Sequence, residues 1–301
     1  MKLSVSTQYI ISTYGDRAGL KKIREIGYTA VDFTMGAFSP SSPLYTAMDE
    51  TAFRQYFSDL KTYADSLGIA VTQAHAHVPT PFTSTARGEK EMFAVLVRDI
   101  IATACLGCPY LVIHPAIPRE CIREKGSKKA AKFNQALFRD LKPYLLANGV
   151  KMGVENMFNR EKGGQICPTV CSTPEEMLTY IDFLGDEAAV ACLDIGHANL
   201  IREEAYPTID PCRMIEMLGY RLKLLHLHDN DGKNDKHAPP KTGCVPWDDV
   251  MRTLAANRFE GNLSFELKSS DDSALEDARL SYRVGSDFLS RYFPDAAANE
   301  K

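Results

Sequence analysis

The chain has 301 residues, 45% hydrophobic and 25% charged, with a formal net charge of −4 at pH 7. That composition describes an ordinary soluble globular protein, long enough to bury a full core without covalent staples. It disfavours a nucleic-acid partner, which usually meets a basic patch, and no run approaches the roughly 18 apolar residues of a membrane span.

In chain order, strands alternate with helices from one end to the other. The first predicted strand is 3–10 (LSVSTQYI); its interspersed polar residues, and the lack of a small-residue cleavage site, argue against a signal peptide. A helical pattern follows over 16–26. Later units pair strand 30–35 with helix 49–67, 69–77 with 89–106, 110–115 with 128–148, and 151–157 with 174–184. The last three pair 190–195 with 210–219, 222–228 with 246–258, and 262–268 with 274–292. Ser172-Thr173-Pro174-Glu175-Glu176 is a helix-opening signal. Gly27, Gly68, Gly107, Gly149 and Gly185 stand where helices should close. Eight β-then-α units is the count of a (β/α)8 TIM barrel, whose usual length is roughly 250 residues. A doubly wound open sheet needs a glycine-rich phosphate turn after its first strand, and Thr13-Tyr14-Gly15 does not provide one. With no linker and no low-complexity segment, a single domain over 1–301 is expected.

Eight scattered cysteines, several inside predicted helices or strands, fit reduced thiols in a cytoplasmic protein better than a disulfide framework. Cys105-Leu106-Gly107-Cys108 has C-x-x-C spacing but ends a helix with no second pair, so it reads as structural. The loops 39–46, 79–88, 116–127 and 158–171 are longer than the turns leading into strands, and long loops on a rigid frame usually carry function. Their basic residues, Arg119, Arg123, Lys125, Arg160 and Lys162, read first as solvated charges and second as contacts for an anionic group.

All seven histidines fall where a predicted strand runs out or in the loop after it: His75, His77, His114, His197, His226, His228 and His237. Glu155 and Glu266 end two further strands, and Asp194 lies beside His197. Imidazoles and carboxylates gathered at one end of a barrel are the ligands Zn²⁺ and Mn²⁺ prefer. A lone buried one is more often a hydrogen-bonded core group. Glu155, Asp194, His226 and Glu266 resist that reading, because three carboxylates converging in a closed barrel repel one another without a cation. His75 and His114 could complete a second metal position or bond a substrate hydroxyl. His197, Asp235 and His237 form a third cluster that could chelate or only shape the pocket. His77, His228 and Asp229 are expected around the donors rather than on a metal, and Trp247 is expected to anchor packing.

These residues resemble the xylose-isomerase-like TIM-barrel superfamily, which holds sugar (phosphate) isomerases and epimerases together with endonuclease IV. The most specific stretch is HLHDNDGKNDKHAPPKTG followed by Trp247, similar to the H-x-H-D-N-D-G, D-x-H-x-P-P-G-x-G and W pattern, with Lys241 where glycine is usual. The resemblance implies one divalent metal (Mn, Zn, Co or Mg) held by Glu155, Asp194, His226 and Glu266, with the two glutamates exchanging protons with the substrate. Endonuclease IV binds three zincs through nine ligands. All nine have counterparts here: His75, His114, Glu155, Asp194, His197, His226, Asp235, His237 and Glu266. One metal is expected and three is the upper bound.

The leading expectation is a metal-dependent sugar or sugar-phosphate isomerase or epimerase. It would abstract a proton next to a carbonyl and pass through an ene-diolate, with a small-molecule sugar as partner. The alternative is a trinuclear-zinc phosphodiesterase acting on abasic DNA. The acidic charge speaks against it, although Phe82 and Arg87 follow the third strand. Two further readings are a dehydratase of cyclic polyols and, in another class, a sugar-binding protein on an inert barrel. Homo-oligomerisation is left open.

Overall fold

Each strand alternates its side chains between two surroundings, and that period builds the molecule. The structure is a computed structural model and describes residues 1–78, 86–117, 127–161, 163–200, 209–269 and 273–298. Its parallel strands are β1 (Leu3–Ser6), β2 (Ala30–Thr34), β3 (Ala70–His75), β4 (Tyr110–Val112), β5 (Lys151–Glu155), β6 (Ala189–Asp194), β7 (Leu222–His226) and β8 (Leu263–Phe265). They pair in chain order, and β8 returns to β1. A parallel bridge from Leu227 to Phe265 joins the last seam, where Leu227 N–H donates to the Ser264 carbonyl at 2.8 Å. This is a (β/α)8 TIM barrel.

The helices that follow the strands are α1 (Asp16–Ile26), α2 (Glu50–Ser66), α3 (Ala86–Cys105), α4 (Ser127–Asn148), α5 (Pro174–Leu184), α6 (Pro211–Leu218), α7 (Trp247–Ala256) and α8 (Ala274–Tyr292). Met152 and Val154 of β5, Ala191 and Leu193 of β6, and Leu225 of β7 with Leu227 just past its end join the large core between sheet and helices. Their neighbours turn inward. Val112, Val190, Cys192 and Leu224 form a separate buried apolar cluster inside the barrel. Gly153 completes that layer, since a Cβ there would lie 2.7 Å from Leu224 and 3.1 Å from Val112. Two residues further on, Glu155, Asp194 and His226 stand on this dry plug.

Several expectations are corrected. The first strand stops at Ser6, and Gln8–Tyr14 is a helix instead. The adjacent buried pair Ile10 and Ile11 fits a helical face and breaks a strand's alternation. The loop 39–46 contains a short helix, Pro43–Thr46. The loop 158–171 carries an antiparallel hairpin, Asn159–Arg160 against Ile166–Cys167. Cys167 is disulfide-bonded, against the expectation of reduced thiols; six other cysteines among the described residues are free. Residues 79–85 and 118–126, with Phe82, Arg119, Arg123 and Lys125, lie outside the described residues, as do Lys162 and the Arg87 side chain. Among the described residues no helix is long and apolar enough to cross a membrane. The capping signal behaves as expected: Thr173 accepts from Glu176 N–H at 3.3 Å, with Pro174 opening α5.

Candidate metal centre at the strand ends

The ligand atoms of Glu155, Asp194, His226 and Glu266 all lie within 4.8 Å of one another. Glu155, Asp194 and His226 are the last residues of β5, β6 and β7, and Glu266 follows β8 directly. His226 Nδ1 donates to Glu155 Oε1 at 2.9 Å and lies 3.4 Å from Glu266 Oε2. Asp194 is pinned by its surroundings: its carboxylate caps the short helix Ile195–Asn199 by accepting from His197 N–H at 2.6 Å. It also accepts from His228 Nε2 at 3.0 Å. Gly196 makes that approach feasible, because a Cβ there would fall 1.9 Å from the His228 ring. His197 therefore sits in a helix and not in a loop, one turn past its strand.

Three further groups flank or overlap these four, one of them His75, His226 and Glu266. His75, His114 and Glu155 converge, with His114 Nε2 2.8 Å and His75 Nε2 3.6 Å from Glu155 Oε2. His197, His228, Asp235 and His237 converge nearer the rim. There Asp235 Oδ1 is buried with no hydrogen-bond partner, 3.8 Å from both His197 Nε2 and His228 Nε2. Gaps of 3.4–4.0 Å between donor atoms recur, as from His226 to Glu266 and from His75 to Glu266. They are too wide for good hydrogen bonds and suit atoms sharing an ion at about 2.0–2.2 Å. By donor chemistry and spacing, the residues fit a divalent cation.

The electrostatics agree. Burial pushes the Glu155 carboxyl up, but the His226 and His114 imidazoles more than offset this and hold it well below the usual range. Asp194 is likewise lowered despite burial, by His197 and His228, and Glu266 by His226 and His237. The imidazoles respond in kind. Burial opposes their charge, yet Glu155 and Glu266 raise His75 to about 8, and Asp235 with Glu266 raises His237 to about 10. His114 is the exception, lowered by burial. Most of these imidazoles thus offset part of the negative charge that the buried carboxylates gather.

Residues 20–292 match the xylose isomerase-like TIM barrel family. The chain belongs to this family. It is 26% identical over 269 residues to the uncharacterized protein y4fM of Sinorhizobium fredii, covering 84% of this chain and 81% of that protein. Among solved structures of the same fold, a D-tagatose 3-epimerase-like protein superposes with a TM-score of 0.73 at 21% identity, over 99% of this chain and 100% of that one. An L-ribulose 3-epimerase superposes with a TM-score of 0.74 at 16% identity, over 100% and 98%.

Within this xylose isomerase-like barrel the remaining expected residues divide. His228 touches the donor Asp194, as above. His77 faces away from the donors: its Nδ1 pairs with Asp99 Oδ1 at 2.9 Å and its Nε2 with the Phe38 carbonyl at 2.9 Å. Asp229 is a loop clamp, accepting from Asn230 and Val245 N–H and from Trp247 Nε1 at 2.8 Å. Trp247 is buried and tilted against Phe288 at 5.7 Å, the packing anchor expected. Lys241 adopts φ +67°, the left-handed region glycine would enter without strain. Two residues escape the sequence reading. Asn156 accepts from Asp194 N–H at 2.6 Å and donates to the Asp194 carbonyl at 2.9 Å, so it locks the ends of β5 and β6 together. Asp32, buried inside β2, lies 3.3 Å from His226 Nε2.

Proposed function

We propose that the protein is a divalent-metal-dependent sugar or sugar-phosphate isomerase or epimerase, with Glu155, Asp194, His226 and Glu266 holding one ion. The observation that carries this reading is the convergence of those four donors within 4.8 Å at the ends of β5 to β8, the face on which TIM barrels place their chemistry. A bound divalent ion supplies Lewis acidity, polarising a substrate carbonyl and steadying the charge left when the adjacent C–H is deprotonated. The protein supplies the rest. Glu155 and Glu266, both held anionic by neighbouring imidazoles, are the proton-transfer pair: one takes the proton next to the carbonyl, the other returns one to the ene-diolate. His75 and His114 stand beside Glu155, placed to bond substrate hydroxyls. Similar solved structures that are sugar 3-epimerases, the L-ribulose 3-epimerase among them, support this class of substrate.

Incubation with Mn²⁺ and a panel of ketoses in D₂O should place deuterium on the carbon next to the carbonyl, with product analysis separating epimerisation, isomerisation and dehydration. Full-rate exchange in Glu266→Gln would refute the assignment of Glu266.

A second reading rests on the flanking donor groups around His75 and His114 and around Asp235, which would suit a phosphodiesterase using up to three zincs on abasic DNA. Three tightly held zincs per chain together with cleavage of an abasic duplex, and no solvent exchange with sugars, would decide for it.

A further inference from the structure

Asp32 has no place in the donor set, yet it is the one carboxylate of β2 and it is 1% exposed. Gln73 lies beside it across the β2–β3 seam and donates to Asp32 Oδ2 at 2.8 Å. The same oxygen lies 3.3 Å from His226 Nε2, close enough for an ion pair but not aligned as a hydrogen bond. The other oxygen, Asp32 Oδ1, and His226 Nε2 are both buried without a hydrogen-bond partner. Two orphaned buried polar atoms on neighbouring groups are costly apart and satisfied together.

The two faces of the His226 ring differ. Nδ1 faces Glu155 and Glu266, at 2.9 and 3.4 Å, so Nδ1 is the nitrogen that would meet an ion. A neutral imidazole that gives its Nδ1 lone pair to a cation carries its proton on Nε2, and that N–H needs an acceptor. Asp32 is the acceptor in place. Gln73 fixes which way that carboxylate turns, because its amide also reaches the Leu225 carbonyl at 3.4 Å.

We propose that Asp32, oriented by Gln73, is a positioning residue: it holds His226 as the Nε2–H tautomer and aims Nδ1 at the ion. This rests on the reading that His226 is a ligand. Partners of ligating histidines typically contribute 10- to 100-fold to metal affinity.

The test uses Zn²⁺ and two measurements on the full chain. In the zinc-loaded parent, nitrogen-15 NMR of the His226 ring should show Nδ1 coordinated and Nε2 protonated. In Asp32→Asn, competition with a chromophoric chelator should show zinc affinity reduced about 10- to 100-fold. The thermal shift on adding zinc should shrink in that variant, measured against the variant's own zinc-free melting temperature. Coordination through Nε2 in the parent overturns the proposal whether or not the variant folds, and so does parental zinc affinity in Asp32→Asn. A fall in zinc-free stability with the zinc increment and affinity at parental values assigns Asp32 to packing and also overturns it. A parent that takes up no zinc defeats the metal reading itself, which separates the two failures.

Discussion

Two regions of the molecule bury carboxylates and treat them in opposite ways. At the barrel mouth, Glu155, Asp194 and Glu266 are all held below the usual range by imidazoles, although burial alone would raise them. At the start of α5, on the outside of the barrel, Glu176 is raised to about 7, because burial dominates and only the backbone amides of Cys171 and Ser172 oppose it. The residue type is the same at three of these four sites. What differs is whether a cationic partner stands opposite. The mouth is therefore a place built to hold negative charge against a positive centre, and the α5 start is a place where one acid is merely tolerated.

The largest expected effect comes from removing a mouth carboxylate. Glu266→Gln should lower deuterium exchange into substrate about 10²- to 10⁴-fold, the usual scale of a lost acid or base, measured by NMR in D₂O. Removing the positive partner instead should turn the mouth towards the α5 behaviour. His226→Leu leaves Glu155 and Asp32 without their shared imidazole. It should cost the metal-free protein about 3–5 kcal/mol, the scale for breaking a buried pair, in urea unfolding. A loss below about 1 kcal/mol would mean the carboxylates do not depend on that cation. Adding the ion should sharpen the contrast. At 100 times its dissociation constant a ligand contributes about 2.7 kcal/mol, so Mn²⁺ or Zn²⁺ against chelator should raise the melting temperature by several degrees. Glu155→Gln should lose most of that increment and Glu176→Gln none of it.

How much of this could be read from the sequence follows from where each signal lives. The barrel was legible because its units repeat: apolar strands, then amphipathic helices closed by glycines such as Gly68 and Gly149, both of which adopt positive φ. The end of β1 was not. The run after Ser6 alternates weakly, and whether it continues as strand or turns into the helix Gln8–Tyr14 is settled by where Ile10 and Ile11 find a core. The donors were legible because imidazoles and carboxylates at strand ends are unusual in bulk. Their supports were not. Asp32 was visible only as an acid inside the apolar run AVDFTM, a signal that could have been used. Asn156 is an ordinary neighbour of Glu155 until the strands close. Asp229 looked like a companion of His228, but the side chain that claims it, Trp247, is 18 positions away.

The smallest effect tests the α5 side directly and has a defined sign. The carboxyl of Glu176 rises from 4.5 in the unfolded chain to about 7 in the fold, so between those values the native state binds more proton than the unfolded one. Stability from this group is therefore complete below about pH 4.5 and is lost as pH rises through 7. The full shift would correspond to about 3 kcal/mol. Glu176 is only half-buried, so solvent screening reduces the expected contribution to about 1 kcal/mol. Glu176→Gln, which cannot ionise but can still accept from the amides of Cys171 and Ser172, should flatten the fall in melting temperature between pH 5 and 8. It should leave the variant more stable than the parent by about that amount at pH 8, with metal affinity unchanged. If parent and variant lose stability in parallel over that range, Glu176 ionises normally in the fold. Burial would then not be what separates it from the acids of the mouth.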